Sequence, residues 1–184
     1  ILNHPSRKQI MQEVLFDFLK EHIELNEAEK ENIIQMNLFK SVNKGEILLK
    51  EGEYSDKSYF ILKGCLRTYY ILDGEEKTTA FYTELEGISP HTLLSKKPSE
   101  YFIASLEDGI IIESTPEMEK IGFEKFPKFE TLCRILSEKL YLKQQMDFDE
   151  FKTSSPEKRY LNLIKQRPDL IQRVPQNQIA SFLG

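Results

Sequence analysis

Cysteine is scarce in this sequence: Cys65 and Cys133 stand far apart and without CxxC spacing. That excludes a disulfide framework, a zinc site on paired thiolates and a four-thiolate iron–sulfur cluster, and it fits a chain kept in a reducing cytoplasm. Histidine is equally thin. His4, His22 and His91 are isolated from one another, so the clustered imidazole and carboxylate ligands of a metal enzyme are missing and no metal is expected. Long apolar runs are absent: stretches such as 59–62 and 110–112 fall far short of the roughly 20 residues that cross a bilayer, so no membrane partner is expected. No basic segment leads into an apolar core and a cleavage site at the N-terminus, and no secretion signal is expected. There is no nucleophile motif, Walker loop or dinucleotide fingerprint. No catalytic residue is assigned, and the chain reads as a non-enzyme that carries no cofactor.

What is present is the composition of an ordinary globular protein, long enough for one average domain and a smaller one. The net charge of −5 argues against nucleic acid only until it is divided along the chain. Residues 152–184 hold Lys152, Lys158, Arg159, Lys165, Arg167 and Arg173 against Glu157 and Asp169, a net of +4, which leaves −9 for residues 1–151. An acidic body and a basic tail read as different modules.

The hydrophobic periodicity changes twice. Ile10, Val14, Leu15, Phe18 and Leu19 form the stripe of an amphipathic helix over 10–20, and Asn26 offers the N-cap of a second helix carrying Ile33, Ile34 and Met36. From 39 to 112 the pattern becomes short runs of aromatic and branched residues punctuated by glycine. Strands are expected at 47–50, 59–63, 66–72, 77–82, 101–106 and 110–113, with Asp73-Gly74 a hairpin turn. Residues 89–95 read as a short helical turn with Pro90 at its first position. Many short strands at this spacing suggest a small barrel or roll.

Thr115-Pro116 marks another helix start, and Pro127 breaks the pattern before a much longer helix. Phe129, Leu132, Cys133, Leu136 and Leu140 share one stripe of it, while Ile135, Leu142 and Met146 widen it to a second face. Such a breadth serves either burial against its own domain or a partner; Leu132, Leu136 and Leu140 are taken as dimer-helix candidates. Ser155 caps a helix opening at Pro156, with Tyr160, Leu161, Leu163 and Ile164, that stops near Pro168. A further helix begins about Pro175, and Gly184 follows where a tight turn is needed.

Two segments carry a resemblance. Lys44-Gly45-Glu46-Ile47-Leu48-Leu49-Lys50-Glu51-Gly52-Glu53 with Tyr59-Phe60-Ile61-Leu62-Lys63-Gly64 looks like a cyclic-nucleotide-binding roll. Val174-Pro175-Gln176-Asn177-Gln178-Ile179-Ala180-Ser181-Phe182-Leu183-Gly184 is similar to the first helix of a winged helix-turn-helix. In that order the chain resembles the Crp/Fnr superfamily of bacterial regulators over essentially its whole length. The resemblance implies an α+β fold: N-terminal helices and a double-stranded β-helix (jelly-roll) sensor domain over 1–127, a long dimerisation helix over 128–152, and the start of an all-α winged helix-turn-helix domain over 153–184. It implies a homodimeric, cytoplasmic transcriptional regulator that binds DNA and answers to an unidentified small-molecule effector. The next helix would enter the major groove, and Ala180 is small enough to let it pack close. Gln176 and Asn177 match positions that approach the DNA backbone. A ligand- or protein-binding roll without DNA-binding activity is the alternative.

Members that bind cyclic AMP carry a Gly-Glu pair for the ribose and an Arg-Ser/Thr-Ala run for the cyclic phosphate. Here those stretches read Glu86-Gly87-Ile88-Ser89-Pro90-His91-Thr92 and Ser99-Glu100-Tyr101-Phe102. A carboxylate 4 Å from a phosphate charge is repelled by about 4 kcal/mol at an effective dielectric of 20. Cyclic AMP is not expected, and Ser89, His91, Thr92, Glu100 and Tyr101 are candidate pocket residues for another ligand.

Overall fold

The computed structural model describes residues 7–36 and 38–184; His4 lies outside them. It opens with α1 (Arg7–Lys20) and α2 (Glu27–Gln35). On α1 the buried stripe is Met11, Leu15, Phe18 and Leu19, and Ile10 is exposed. Asn26 caps α2 as predicted and does so reciprocally. Its side chain accepts from the Glu29 amide at 2.9 Å, and the Glu29 carboxylate accepts from the Asn26 amide at 2.8 Å, which satisfies two of the free N–H groups at the helix start.

Eight antiparallel strands follow: β1 (Phe39–Val42), β2 (Ile47–Leu49), β3 (Ser58–Lys63), β4 (Leu66–Leu72), β5 (Glu75–Tyr82), β6 (Gly87–Ile88), β7 (Phe102–Ser105) and β8 (Gly109–Ser114). They form two four-stranded sheets in the orders β1-β8-β3-β6 and β2-β7-β4-β5. Between the sheets lie Val42, Leu49, Tyr59, Ile61, Leu66, Ile88, Ile103 and Ile111, a core to which both contribute. The expected jelly-roll is therefore present, with β1 and β6 added to the strands read from the sequence. Side-chain alternation gives the first sheet a second apolar surface: Phe60, Leu62, Ile110 and Ile112 point away from the roll core and meet α1.

Local chemistry fixes two close turns. Leu72 pairs with Glu75 across Asp73 and Gly74, both at positive φ (54° and 79°), the geometry a two-residue hairpin requires. At Gly109 a side chain is impossible, because a Cβ would stand 2.5 Å from the Lys63 carbonyl oxygen. The expected helical turn over 89–95 is shorter, with only α3 (Thr92–Ser95) helical; Pro90 instead closes a tight turn by accepting from the Leu93 amide at 3.1 Å.

α4 (Pro116–Lys125), capped by the Thr115 hydroxyl, is separated only by buried Phe126 from the 27-residue α5 (Pro127–Thr153). α6 (Pro156–Gln166) starts at the Ser155 cap, with the Lys158 amide donating to its hydroxyl at 3.3 Å. Pro168 does more than end α6. A proline at the first helical position loses no hydrogen bond there, and it opens α7 (Pro168–Arg173) where the sequence predicts a break; α8 (Gln176–Leu183) follows. These last helices do not stand apart from the roll. Leu170, Val174, Ile179 and Leu183 share a core with Cys65 and Phe81 on the outer side of β4 and β5.

Candidate functional site

Three of the pocket candidates, His91, Thr92 and Tyr101, gather around α3 and the segment entering β7. Thr92 is fully buried and its hydroxyl donates to the Ser55 carbonyl at 2.5 Å. The His91 amide donates to the Tyr101 hydroxyl at 3.4 Å, and the two rings lie 5.2 Å apart, with Tyr70 5.7 Å from Tyr101 on another side. Burial pushes the Tyr101 phenol above its ordinary pKa, so it stays a neutral hydrogen-bonding group. Ser89 is exposed, its hydroxyl 3.3 Å from that of Ser58. Glu100 is exposed and is not brought into the group.

Sequence reasoning missed Ser55, Tyr70 and Ser99 here. Ser99 is buried, its hydroxyl donating to the Tyr101 carbonyl at 2.7 Å, its amide donating to the Glu53 carbonyl at 2.8 Å and its own carbonyl accepting from Gly52 at 2.7 Å. The arrangement presents hydroxyls and aromatic rings. It suits a ligand recognised by stacking and neutral hydrogen bonds better than an anion. No group of three or more His, Cys, Asp or Glu side chains is placed to hold a metal among the described residues.

A polar latch that the sequence did not reveal joins the C-terminal helices to the roll. Arg173 of α7 contacts both Glu107 and Glu84, with 2.8 and 2.9 Å bonds to the latter. These carboxylates, Glu107 foremost, hold the Arg173 proton more tightly than usual. Burial by itself would raise the Glu84 pKa; Arg173 and the Gly64 amide outweigh it and hold Glu84 below the ordinary carboxylate value. Arg167 donates to the Thr83 hydroxyl at 2.7 Å. On α8, the Ser181 hydroxyl accepts from the Thr78 amide and donates to the Glu76 carbonyl, both at 3.0 Å, and so satisfies groups on the open edge of β5. Arg159 bonds to the carbonyls of Phe151, Ser154 and Leu183. Arg159, Arg167 and Arg173 of the tail thus make internal hydrogen bonds, and Lys152 lies over the Phe148 ring. Gln176 and Asn177 are exposed on the first turn of α8, and a cavity of about 390 Å³ opens beside Ala180, walled by Tyr160, Ile171, Ile179 and Leu183.

On α5 the predicted stripe turns inward. Leu132 is buried with Leu15, Leu19 and Ile33, Leu136 packs on the same cluster, and Leu140 lines a cavity between α5 and the N-terminal helices. The three dimer-helix candidates therefore face their own domain, the other of the two uses such a stripe allows. The outward surface is the second one: Leu142 and Met146 are 57% and 71% exposed, with Tyr141 and Phe148 also exposed. No helix among the described residues is long and apolar enough to cross a membrane.

Residues 39–117 match the cyclic nucleotide-binding domain family. Among solved structures the chain is similar to the c-di-GMP-responsive global regulator CLP of Xanthomonas campestris, at 12% identity and a TM-score of 0.59 over 76% of this chain and 74% of that one. It is also similar to a CooA double mutant from Carboxydothermus hydrogenoformans, at 18% identity and a TM-score of 0.59 over 79% and 69%. The N-terminal domain of a transcriptional regulator from Streptomyces coelicolor A3(2) aligns at 18% identity and a TM-score of 0.50 over 66% and 88%. No curated protein matches significantly. The chain has a cyclic nucleotide-binding fold similar to that of Crp/Fnr-type regulators.

Proposed function

We propose that this protein is a cytoplasmic DNA-binding transcriptional regulator of the Crp/Fnr type, a homodimer joined along α5, in which a small-molecule signal other than cyclic AMP changes how the C-terminal helices rest on the roll. The observation that carries this reading is the extent of the likeness in fold. Similarity to CLP and CooA covers 76% and 79% of the chain, well past the roll at 39–117 and into the helices behind it. The outward apolar face of α5 supports the dimer, since an unpartnered stripe of this kind is costly in water. Replacing Leu142 and Met146 together by aspartate is expected to convert the dimer to a monomer, as read by light scattering.

The neutral groups around Tyr101 argue against a cyclic phosphate. Gln176 and Asn177 at the α8 N-terminus suit phosphate contacts, and the cavity beside Ala180 offers a seat for a following helix. Regulation rather than catalysis fits a site without an activated nucleophile. The test is a mobility-shift assay of the full-length protein on fragments of its own upstream DNA, at two salt concentrations, with and without cyclic AMP. Selective, salt-sensitive binding indifferent to the nucleotide is expected. Nucleotide dependence would overturn the pocket reading, and absence of selective binding to any genomic fragment would leave a roll that binds ligand or protein alone.

A further inference from the structure

The apolar cavity beside α5 lies outside the roll and is larger than anything its own packing needs. Its volume is about 490 Å³, within the range of small-molecule sites. Leu15 and Leu19 of α1, Ile33 of α2, and Leu136 and Leu140 of α5 wall it, over a floor that includes Phe60 of β3. The lining on α5 runs from Lys128 to Lys143, about 22 Å at 1.5 Å per residue, so the space is elongated.

The polar rim is uneven. Lys128 donates to the Glu24 carbonyl at 2.8 Å, and Lys143 is paired with Glu86, which also accepts from the Thr83 amide. Glu119 accepts from the Ser114 hydroxyl. Lys139 has its ammonium 3.0 Å from His22 Nε2 and, like Lys128, no carboxylate in salt-bridge range among the described residues. His22 Nδ1 is 3.1 Å from the Phe18 carbonyl, so Nδ1 carries the proton and Nε2 accepts from Lys139. The cavity thus combines an elongated apolar interior with two cations at its edge, Lys128 and Lys139, that have no carboxylate in range among the described residues; the Lys128 ammonium is engaged by the Glu24 carbonyl.

We infer that this cavity binds a free long-chain fatty acid, its chain along α5 and its carboxylate on Lys139. A bilayer is the wrong source for such a ligand. The walls enclose a trough instead of presenting a flat face. The inference depends on the proposed function only for its regulatory meaning: acyl binding and DNA binding are measured separately, and either can fail without the other.

The experiment is displacement of a dansyl-labelled fatty acid from the full-length protein by palmitate. One saturable site is expected, with palmitate competing and palmityl alcohol competing at least about tenfold less well, the value of one charge-assisted contact. Lys139→Glu is expected to weaken palmitate by a similar factor and Lys139→Arg to retain it. Lys139 is exposed, and thermal melting checks that both variants fold. The inference is overturned if the probe is not displaced, if alcohol and acid compete equally, or if Lys139→Glu binds like the parent. It is equally overturned if the protein co-sediments with anionic vesicles and binds no monomeric fatty acid.

Discussion

The two sheets of the roll are covered on their outer faces by different means. Over β3 and β8 the N-terminal helices and α5 supply leucine, isoleucine and phenylalanine, with little directed polar contact and a trough left between the helices. Over β4 and β5 the C-terminal helices bring a smaller apolar core, and around it Arg173, Arg167 and Ser181 make specific hydrogen bonds to the roll. The first cover is held by burial, which is strong, non-directional and insensitive to salt. The second is held in large part by partly exposed charges, whose net worth is small. It also contains unsatisfied groups: Arg67 Nε on β4 and Gln178 Oε1 on α8 are buried without a partner among the described residues, at a cost of about 1–3 kcal/mol each. One face is built to stay closed and the other to let go.

Each face carries one thiol, which makes the comparison measurable. Cys65 is fully buried under the C-terminal helices, and burial pushes its pKa up to about 12; Cys133 lines the trough, where burial raises it to about 11. The largest effect belongs to the first face. Leu132→Ala is expected to lower global stability by about 2–5 kcal/mol in urea unfolding, because Leu132 is 2% exposed and its removal leaves a cavity. Next comes Arg173→Ala, expected to cost about 1–2 kcal/mol of local docking and so to speed Cys65 labelling by about 5–30-fold. Cys133 labelling is expected to stay unchanged in that variant. Equal acceleration of both thiols would show that the two covers open together and remove the contrast.

Acid provides a gentler probe of the same latch. The Glu84 pKa is depressed in the folded protein from an ordinary 4.5, so its stabilising contribution is complete above that value and is lost as pH falls through the lower folded one. Asp169 behaves in the same sense: burial alone would raise its pKa, and Arg167 outweighs it. Labelling of Cys65 by a pyridyl disulfide, compared with Cys133, is expected to rise below pH 4.5. Salt should have the smallest effect. At about 1 M the screening length falls to roughly 3 Å, and Cys65 protection is expected to drop only a few-fold while α1 amide protection holds.

Local signals were the legible part of this molecule. The caps at Asn26, Thr115 and Ser155 and the turn at Asp73-Gly74 depend on residues within four positions of one another, and the structure has all of them. Short aromatic and branched runs punctuated by glycine likewise announced the roll. α7 was hidden because a proline that stops one helix is equally able to start the next. The latch was hidden because Arg173 lies 66 and 89 positions from its carboxylates, and no periodicity records such a pairing. Among the pocket candidates, Thr92, His91 and Tyr101 come together, whereas Glu100 lies exposed in the bend before β7. On α5, two apolar stripes were visible, but composition could not say which one the N-terminal helices would claim.

The 27 residues of α5 make a rod about 40 Å long. One part of it walls the trough and its far end leads into the Ser154-Ser155 joint, so it has the proportions of a lever arm. A tilt of about 5° at its N-terminal end would carry Thr153 by roughly 3–4 Å. Hydrogen bonds survive displacements of only a few tenths of an ångström before they weaken steeply. A displacement of that size, carried through the joint to α7, exceeds what the bonds from Arg173 to Glu84 tolerate.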